Sequence, residues 1–197
     1  MSIYNFGMQE RRSDMRVISG SARGLKLKAP EGMNTRPTTD RIKESLFNII
    51  AAELYDICFA DLFAGSGAIG IEALSRGAKK AYFSDSNRKS AEIIKDNLSR
   101  ARLADKAEVF CCDYSQALSR IKANDDKIDI AFLDPPYNKG LAVRALEEIV
   151  RLELLSDDGF IIVEQAAEEP AIDVAGLKTT RVKDYKTTKM TYLCKEI

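Results

Sequence analysis

From Cys58 onward, short apolar runs alternate with segments whose apolar residues recur at helical spacing. The runs at 58–63, 80–84, 107–111, 128–133 and 159–163 read as strands, and the stretches 67–76, 87–101, 114–122 and 139–152 as helices. Strands separated by helices of this length imply βαβ crossovers and a parallel sheet covered on both faces. A last run, Met190–Cys194, has no clear helix before it, which predicts a terminal hairpin closing the sheet edge in antiparallel fashion. Upstream, Ile42, Leu46, Phe47, Ile49, Ile50 and Leu54 form one helical apolar face, with Thr38, Thr39 and Asp40 offering N-cap oxygens after Pro37. On this reading Arg41 and Lys43 fall off that face. Residues 16–28 alternate around Ser21-Ala22-Arg23-Gly24 and predict a β-hairpin with basic tips. The expectation is an α/β domain over 36–197, a small basic hairpin over 15–35, and a mobile extension over 1–14, with Met15 as a natural start.

Composition narrows this picture. At 45% hydrophobic and 30% charged residues, the chain is an ordinary globular protein with no apolar run long enough to span a membrane. It is therefore expected to be soluble and cytoplasmic, and nothing demands a dimer over a monomer. There is no histidine, and the four cysteines lack C-x-x-C spacing, which argues against a metal site; three of the four sit in apolar, strand-like surroundings, which favours buried, reduced thiols. Net charge is zero, yet residues 11–48 hold nine Lys/Arg against four Asp/Glu, and residues 178–195 hold six against one. Two basic ends beside an acidic body suit a polyanionic partner better than the overall balance suggests. Arg16, Arg23, Lys26, Lys28, Arg36 and Arg41 are the candidate phosphate contacts.

In an open parallel sheet, ligands bind beyond the carboxyl ends of the strands. Four carboxylates stand there: Asp61, Asp85, Asp113 and Asp134. Gly65, Gly67 and Gly70 have the G-x-G-x-x-G spacing of a dinucleotide turn, and Asp85 follows at the usual offset for an acid binding a ribose diol. That offset suits any adenosine cofactor. Further carboxylates would repel a pyrophosphate, whereas S-adenosylmethionine carries an ammonium and a sulfonium. Asp61 suits its amino-acid end and Asp113 its adenine amine, with Gly65 and Gly67 allowing close backbone approach. Gly70 is then expected to serve helix packing.

Leu133-Asp134-Pro135-Pro136-Tyr137 ends the fourth strand, because proline cannot continue a central ladder. An exocyclic nucleobase NH2 is a poor nucleophile, its lone pair being delocalised into the ring. Two acceptors aimed at its hydrogens, the Asp134 carboxylate and the Pro135 carbonyl, would favour pyramidalisation. Tyr137 offers a ring for the base to stack on, a contact worth roughly 1–3 kcal/mol. In-line attack on a sulfonium methyl then mainly needs distance and angle.

These motifs resemble class I S-adenosylmethionine-dependent methyltransferases acting on amino groups, whose D/N-P-P-Y/F/W signature follows the fourth strand. Arg16-Val-Ile-Ser-Gly20, Arg23-Gly-Leu-Lys-Leu27, Arg36-Pro-Thr-Thr-Asp-Arg-Ile-Lys-Glu44, Leu46-Phe-Asn48 and Asp61-Leu-Phe-Ala-Gly-Ser-Gly67 narrow this to the RsmD-type bacterial 16S rRNA guanine-N2 methyltransferases. The resemblance runs from Met15 to the C-terminus. It implies a Rossmann-like seven-stranded methyltransferase sheet, methylation of a guanine N2 in small-subunit rRNA, and a basic N-terminal element meeting RNA. By motif, Gly65, Gly67, Asp85 and Asp113 would hold the cofactor, with Asp134, Pro135 and Tyr137 at the acceptor amine. The Arg36–Thr39 segment would lie across the cofactor cleft, with Thr38 or Thr39 near the methionine end. Two positions depart from the family: Asp85 where Glu is usual, and Tyr185-Lys186 where Tyr-Gly is common. A guanine N2 would have to be unpaired or extruded to be reached.

Other readings compete. Adenine N6 of DNA or a protein glutamine could be the acceptor, since similar loops serve those amines, although the chain offers no separate DNA-recognition domain. A non-catalytic module in ribosome assembly is a different class of answer. A nicotinamide-dependent dehydrogenase is weakest, because no histidine is present for proton relay.

Overall fold

A computed structural model describes residues 15–30 and 40–196. Seven strands form one sheet: β1 (Cys58–Leu62), β2 (Lys80–Ser84), β3 (Ala107–Phe110), β4 (Ile128–Leu133), β5 (Leu155–Ala166), β6 (Leu177–Asp184) and β7 (Thr188–Lys195). Their order is β3-β2-β1-β4-β5-β7-β6. The first five run parallel, and β7 inserts antiparallel between β5 and β6. The helices are α1 (Asp40–Ile49), α2 (Ala68–Ser75), α3 (Arg88–Ala101), α4 (Tyr114–Ala123) and α5 (Leu141–Arg151).

The predicted alternation of strands and helices is therefore present, and the chain ends in the expected antiparallel hairpin. The pattern does not reveal β6: every residue after Leu177 in this strand is exposed, so neither face carries an apolar period. Central strands behave oppositely. In β1, β2 and β4 nearly every residue is buried, as helices on both faces require.

Two apolar layers sandwich the sheet. On one side, Leu46 and Phe47 of α1, Ile71 and Leu74 of α2 and Ile94 of α3 pack over Phe59, Phe83, Phe132, Ile162, Met190 and Tyr192. On the other, Leu118 of α4 and Leu146 and Ile149 of α5 cover Leu62, Leu133 and Val163.

Residues 15–30 join the first layer through Val17 and Leu27. The expected hairpin is present in short form: its arms are joined by Leu27 N to the Met15 carbonyl, Val17 N to the Leu25 carbonyl and Gly24 N to the Val17 carbonyl, around one antiparallel bridge, Arg16 to Lys26. The backbone between the arms is held by α2: the Glu72 carboxylate accepts from Ile18 N at 2.7 Å and Ser19 N at 2.9 Å. Ser75 Oγ accepts from Ala22 N and donates to the Ser19 carbonyl.

Lys43 departs from expectation. It is buried, 2% exposed, with its ammonium 3.5 Å from Glu72 and donating to the Arg16 carbonyl. A charge with a buried counter-charge and backbone acceptor is tolerated where the helical pattern alone would place it in solvent. All four cysteines are free thiols, as expected, but less buried than expected: none is fully buried, and Cys111 is exposed because β3 lies at the sheet edge and ends just before it. No helix among the described residues is long and apolar enough to cross a membrane.

Candidate active site

The sheet register assembles the site. Asp61 pairs with Phe132, and Phe132 with Ile162. Side chains two residues apart share a face, so Asp61, Asp134 and Glu164 all point to the α1–α3 side at the carboxyl ends of β1, β4 and β5. A cavity of about 660 Å³ opens there, lined by Asp61, Gly65, Asp85, Asp113, Asp134, Pro135 and Tyr137 among others. Four parallel strands thus bring seven of the sequence-predicted site residues to one place. Gly67 stands behind the wall, buried against Ile94 and Ile71, and Thr38 and Thr39 lie outside the described residues.

The glycine loop shapes one end. Gly67 adopts a left-handed conformation (φ 75°) as the N-cap of α2, which favours glycine. Gly70 has no such need. A Cβ there would lie 2.4 Å from the Phe83 ring and 3.2 Å from the Asp61 Cβ, so its role is to let α2 sit on β1 and β2. Gly65 donates its N–H to Asp85 Oδ2 at 2.9 Å, while Asn87 N donates to the other oxygen at 2.8 Å. Asp85 is thereby aimed at the cavity with lone pairs to spare. Asp113 caps α4 by accepting from Gln116 N at 2.9 Å, and it lines the cavity as well.

Asp61 is almost fully buried and accepts from Gly70 N at 2.9 Å. Burial, reinforced by the neighbouring Asp85 charge, pushes its carboxyl up to about 7. Asp134 is pushed up to about 8, chiefly by desolvation, then by Glu164 and Asp61. Three acids thus share one desolvated corner. Among the described residues, no group of three or more potential ligands is arranged to hold a metal ion.

Several site residues escape pattern reading. Glu164, 5% exposed, lies within the apolar run Ile161-Ile162-Val163, where its strand position looks structural. It faces the Tyr137 hydroxyl, which donates to Oε1 at 3.5 Å, and burial raises its carboxyl too. Its signal was available: a lone acid on the inward face of a core strand requires a reason. Phe63 and Tyr114 line the cavity with ring centroids 5.4 Å apart, beside Asp113. Phe63 holds φ 71°, a strained conformation for a bulky residue and one that clusters at functional sites. Lys43 also reaches the cavity wall.

The Asp134–Tyr137 loop after β4 is tied down from behind. Glu169 Oε1 accepts from Asn138 N at 2.5 Å, the Glu169 carbonyl accepts from Lys189 Nζ, and Ala167 N donates to the Thr187 carbonyl. The loop after β4, the end of β5 and the β6–β7 turn therefore form one connected rim.

Of the basic candidates, Arg16, Arg23, Lys26, Lys28 and Arg41 are exposed, and Lys28 pairs with Asp96 at 3.1 Å. Arg36 lies outside the described residues. Asn97, wholly buried, links this segment to the glycine loop by donating to the carbonyls of Lys28 (2.9 Å) and Ser66 (3.0 Å).

Comparison with known proteins agrees with this architecture. Residues 15–194 match the family described as conserved hypothetical protein 95. The Haemophilus influenzae ribosomal RNA small subunit methyltransferase D is 32% identical over 180 residues, covering 89% of this chain and 93% of that protein. The Escherichia coli K12 protein of the same name is 36% identical over 154 residues, covering 78% and 76%. A solved Escherichia coli structure, the "putative methyltransferase yhhF", superposes with a TM-score of 0.80 at 34% identity, covering 93% and 98%. The fold is the seven-stranded methyltransferase sheet, and the chain belongs to the conserved hypothetical protein 95 family, that of the ribosomal RNA small subunit methyltransferases D.

Proposed function

We propose that this protein methylates the exocyclic N2 amine of a guanine in bacterial small-subunit rRNA, by direct in-line transfer from S-adenosylmethionine to an extruded base. The single observation that carries the chemistry is the Asp134-Pro-Pro-Tyr137 loop lining the same cavity as Asp61, Gly65, Asp85 and Asp113. The choice of rRNA rests on the names of the relatives, and the choice of guanine N2 on the sequence resemblance.

The residues present fit that cofactor. Four acids, Asp61, Asp85, Asp113 and Asp134, line the cavity, and among the described residues the cation on its wall, Lys43, is paired with Glu72. A pyrophosphate would meet net repulsion there, and a sulfonium with an ammonium would meet attraction. Asp85 would take the ribose diol, Asp61 the amino-acid end, and Asp113 with the Phe63–Tyr114 pair the adenine. When bound, the cofactor supplies an electrophilic methyl group.

The protein's own part is positional and electrostatic. The Asp134 carboxylate and the Pro135 carbonyl accept the two amine hydrogens, turning the nitrogen lone pair out of conjugation. Tyr137 stacks the base, and Glu164 restrains the Tyr137 hydroxyl from beneath. As the nitrogen becomes cationic, the Asp134 carboxylate stabilises it in a poorly solvated site, where such interactions are strongest. Its raised proton affinity lets it accept the proton the amine then loses.

The test is transfer of labelled methyl from S-adenosylmethionine to unmodified small-subunit rRNA or particles, with digestion to nucleosides and mass spectrometry. N2-methylguanosine at one position is the expected product. Label in DNA, in adenine or in a ribosomal protein would overturn the reading, and so would a protein that binds NAD but not S-adenosylhomocysteine.

A further inference from the structure

Four cations of the β6–β7 hairpin have no role in the site described so far. Lys178, Arg181 and Lys183 on β6 and Lys186 in the following turn are all exposed, and none forms an ion pair among the described residues. Val182 between them is 49% exposed. The strand is an edge with neither face covered by a helix.

Register fixes where these charges point. Arg181 pairs with Tyr192 and Lys183 with Met190, while Tyr192 pairs with Ile162 and Met190 with Glu164. Directly paired residues share a face. Arg181 and Lys183 therefore stand on the same face of the sheet as Glu164 and, through it, Asp134. Tyr185 continues that face and reaches α1, its hydroxyl 3.1 Å from Ser45 Oγ. Direction matters as much. β6 runs antiparallel to β7, which runs antiparallel to β5, so the carboxyl end of β6 lies at the same sheet edge as the acceptor loop. Three of the four cations fall within Arg181–Lys186, toward that end. Three interstrand steps separate β6 from β4, about 15 Å at the usual strand spacing. A few nucleotides of extended chain span that distance.

We propose that the Arg181–Lys186 end of this hairpin is a second contact for the phosphate backbone of the substrate RNA, distinct from the basic segment at 15–30. The proposal rests on the rRNA reading above. The cofactor loops occupy the β1–β3 side of the cavity, so RNA flanking an acceptor base at β4 has the β5–β7–β6 rim open to it. Acidic neighbours are few. Asp184 is exposed and sits opposite Lys189 in the ladder, Glu169 is engaged by Asn138 N and Gln165, and Glu168 is exposed. Lysines on an edge strand also discourage sheet-to-sheet pairing. That role does not call for cations gathered at the end nearest the acceptor loop.

The experiment compares the full-length protein with its R181Q/K183Q/K186Q variant, binding unmodified small-subunit rRNA between 50 and 200 mM salt. Equal affinity for S-adenosylhomocysteine checks that the variant is folded. Three lost phosphate contacts at about 0.7 counterions each lower the log–log salt slope by about two, so the parent loses about 20-fold more affinity than the variant across that range. An unchanged slope overturns the hairpin contact, as does a variant that only aggregates while its soluble fraction keeps the parental slope. A second readout needs no substitution: acetylation of the parent protein with and without rRNA, read by mass spectrometry. Lys183 and Lys186 are expected to be protected, and unchanged reactivity refutes the contact. Should the parent neither bind rRNA nor transfer methyl to it, the rRNA reading fails; should it do both while the hairpin tests fail, only this inference falls.

Discussion

Across β1 and β2, the cavity's acids are held by backbone N–H groups: Asp61 by Gly70, and Asp85 by Gly65 and Asn87. Across β4 and β5 the acids go nearly without. Among the described residues no hydrogen bond reaches the Asp134 carboxyl, and Glu164 meets the Tyr137 hydroxyl at 3.5 Å with its other oxygen buried and unpartnered. The first half is finished before any ligand arrives. The second leaves acceptors desolvated and under-satisfied, each such group costing about 1–3 kcal/mol. On the proposed reading, a donor amine inserted there would recover that cost, and a carbonyl at the same place would not.

Three experiments would break or sharpen this contrast. The largest effect is expected from Asp134→Ala. Single-turnover methyl transfer should fall by about 10²–10³-fold, as for loss of one preorganised electrostatic partner. Calorimetric affinity for S-adenosylhomocysteine should stay within about twofold. A comparable loss of cofactor affinity would show that the two halves are not separable.

Asp85→Ala should do the reverse. Losing charged hydrogen bonds worth about 1.5–3 kcal/mol weakens S-adenosylhomocysteine binding by about 10- to 100-fold. Turnover at saturating cofactor should change far less.

The smallest effect is a displacement in pH. Because the Asp134 carboxyl is raised to about 8, the carboxylate grows as pH climbs toward that value, and turnover should rise with it. Glu164→Gln removes a like charge that helps raise Asp134, so the rising limb should move to lower pH. Asp134→Asn keeps an acceptor oxygen and should flatten the limb. A pH–rate profile unmoved by Glu164→Gln would sever the link between the two acids.

The legible parts of this molecule are those where one residue type serves local geometry and chemistry together. Asp134-Pro-Pro-Tyr137 stops a strand and presents acceptors, so it stands out in the chain. The same holds for the glycine loop, and for acids placed where apolar runs end. What could not be read depends on partners distant in sequence. Lys43 looks like a surface lysine until Glu72, on another helix, is brought beneath it. Glu164 is hidden in a core strand and gains meaning only from its register with β4. β6 shows no apolar period because it has no layer to bury against, and only the ladder with β7 defines it.

The clamp on residues 18–22 has a kinetic consequence. The amides of Ile18 and Ser19 end on Glu72, that of Ala22 on Ser75 Oγ, and that of Ser21 on the Ser75 carbonyl. All four acceptors belong to α2, so these amides exchange with solvent only when the loop lifts off that helix. A surface stretch without strands of its own thereby acquires the protection of a core element and opens with it as one cooperative unit.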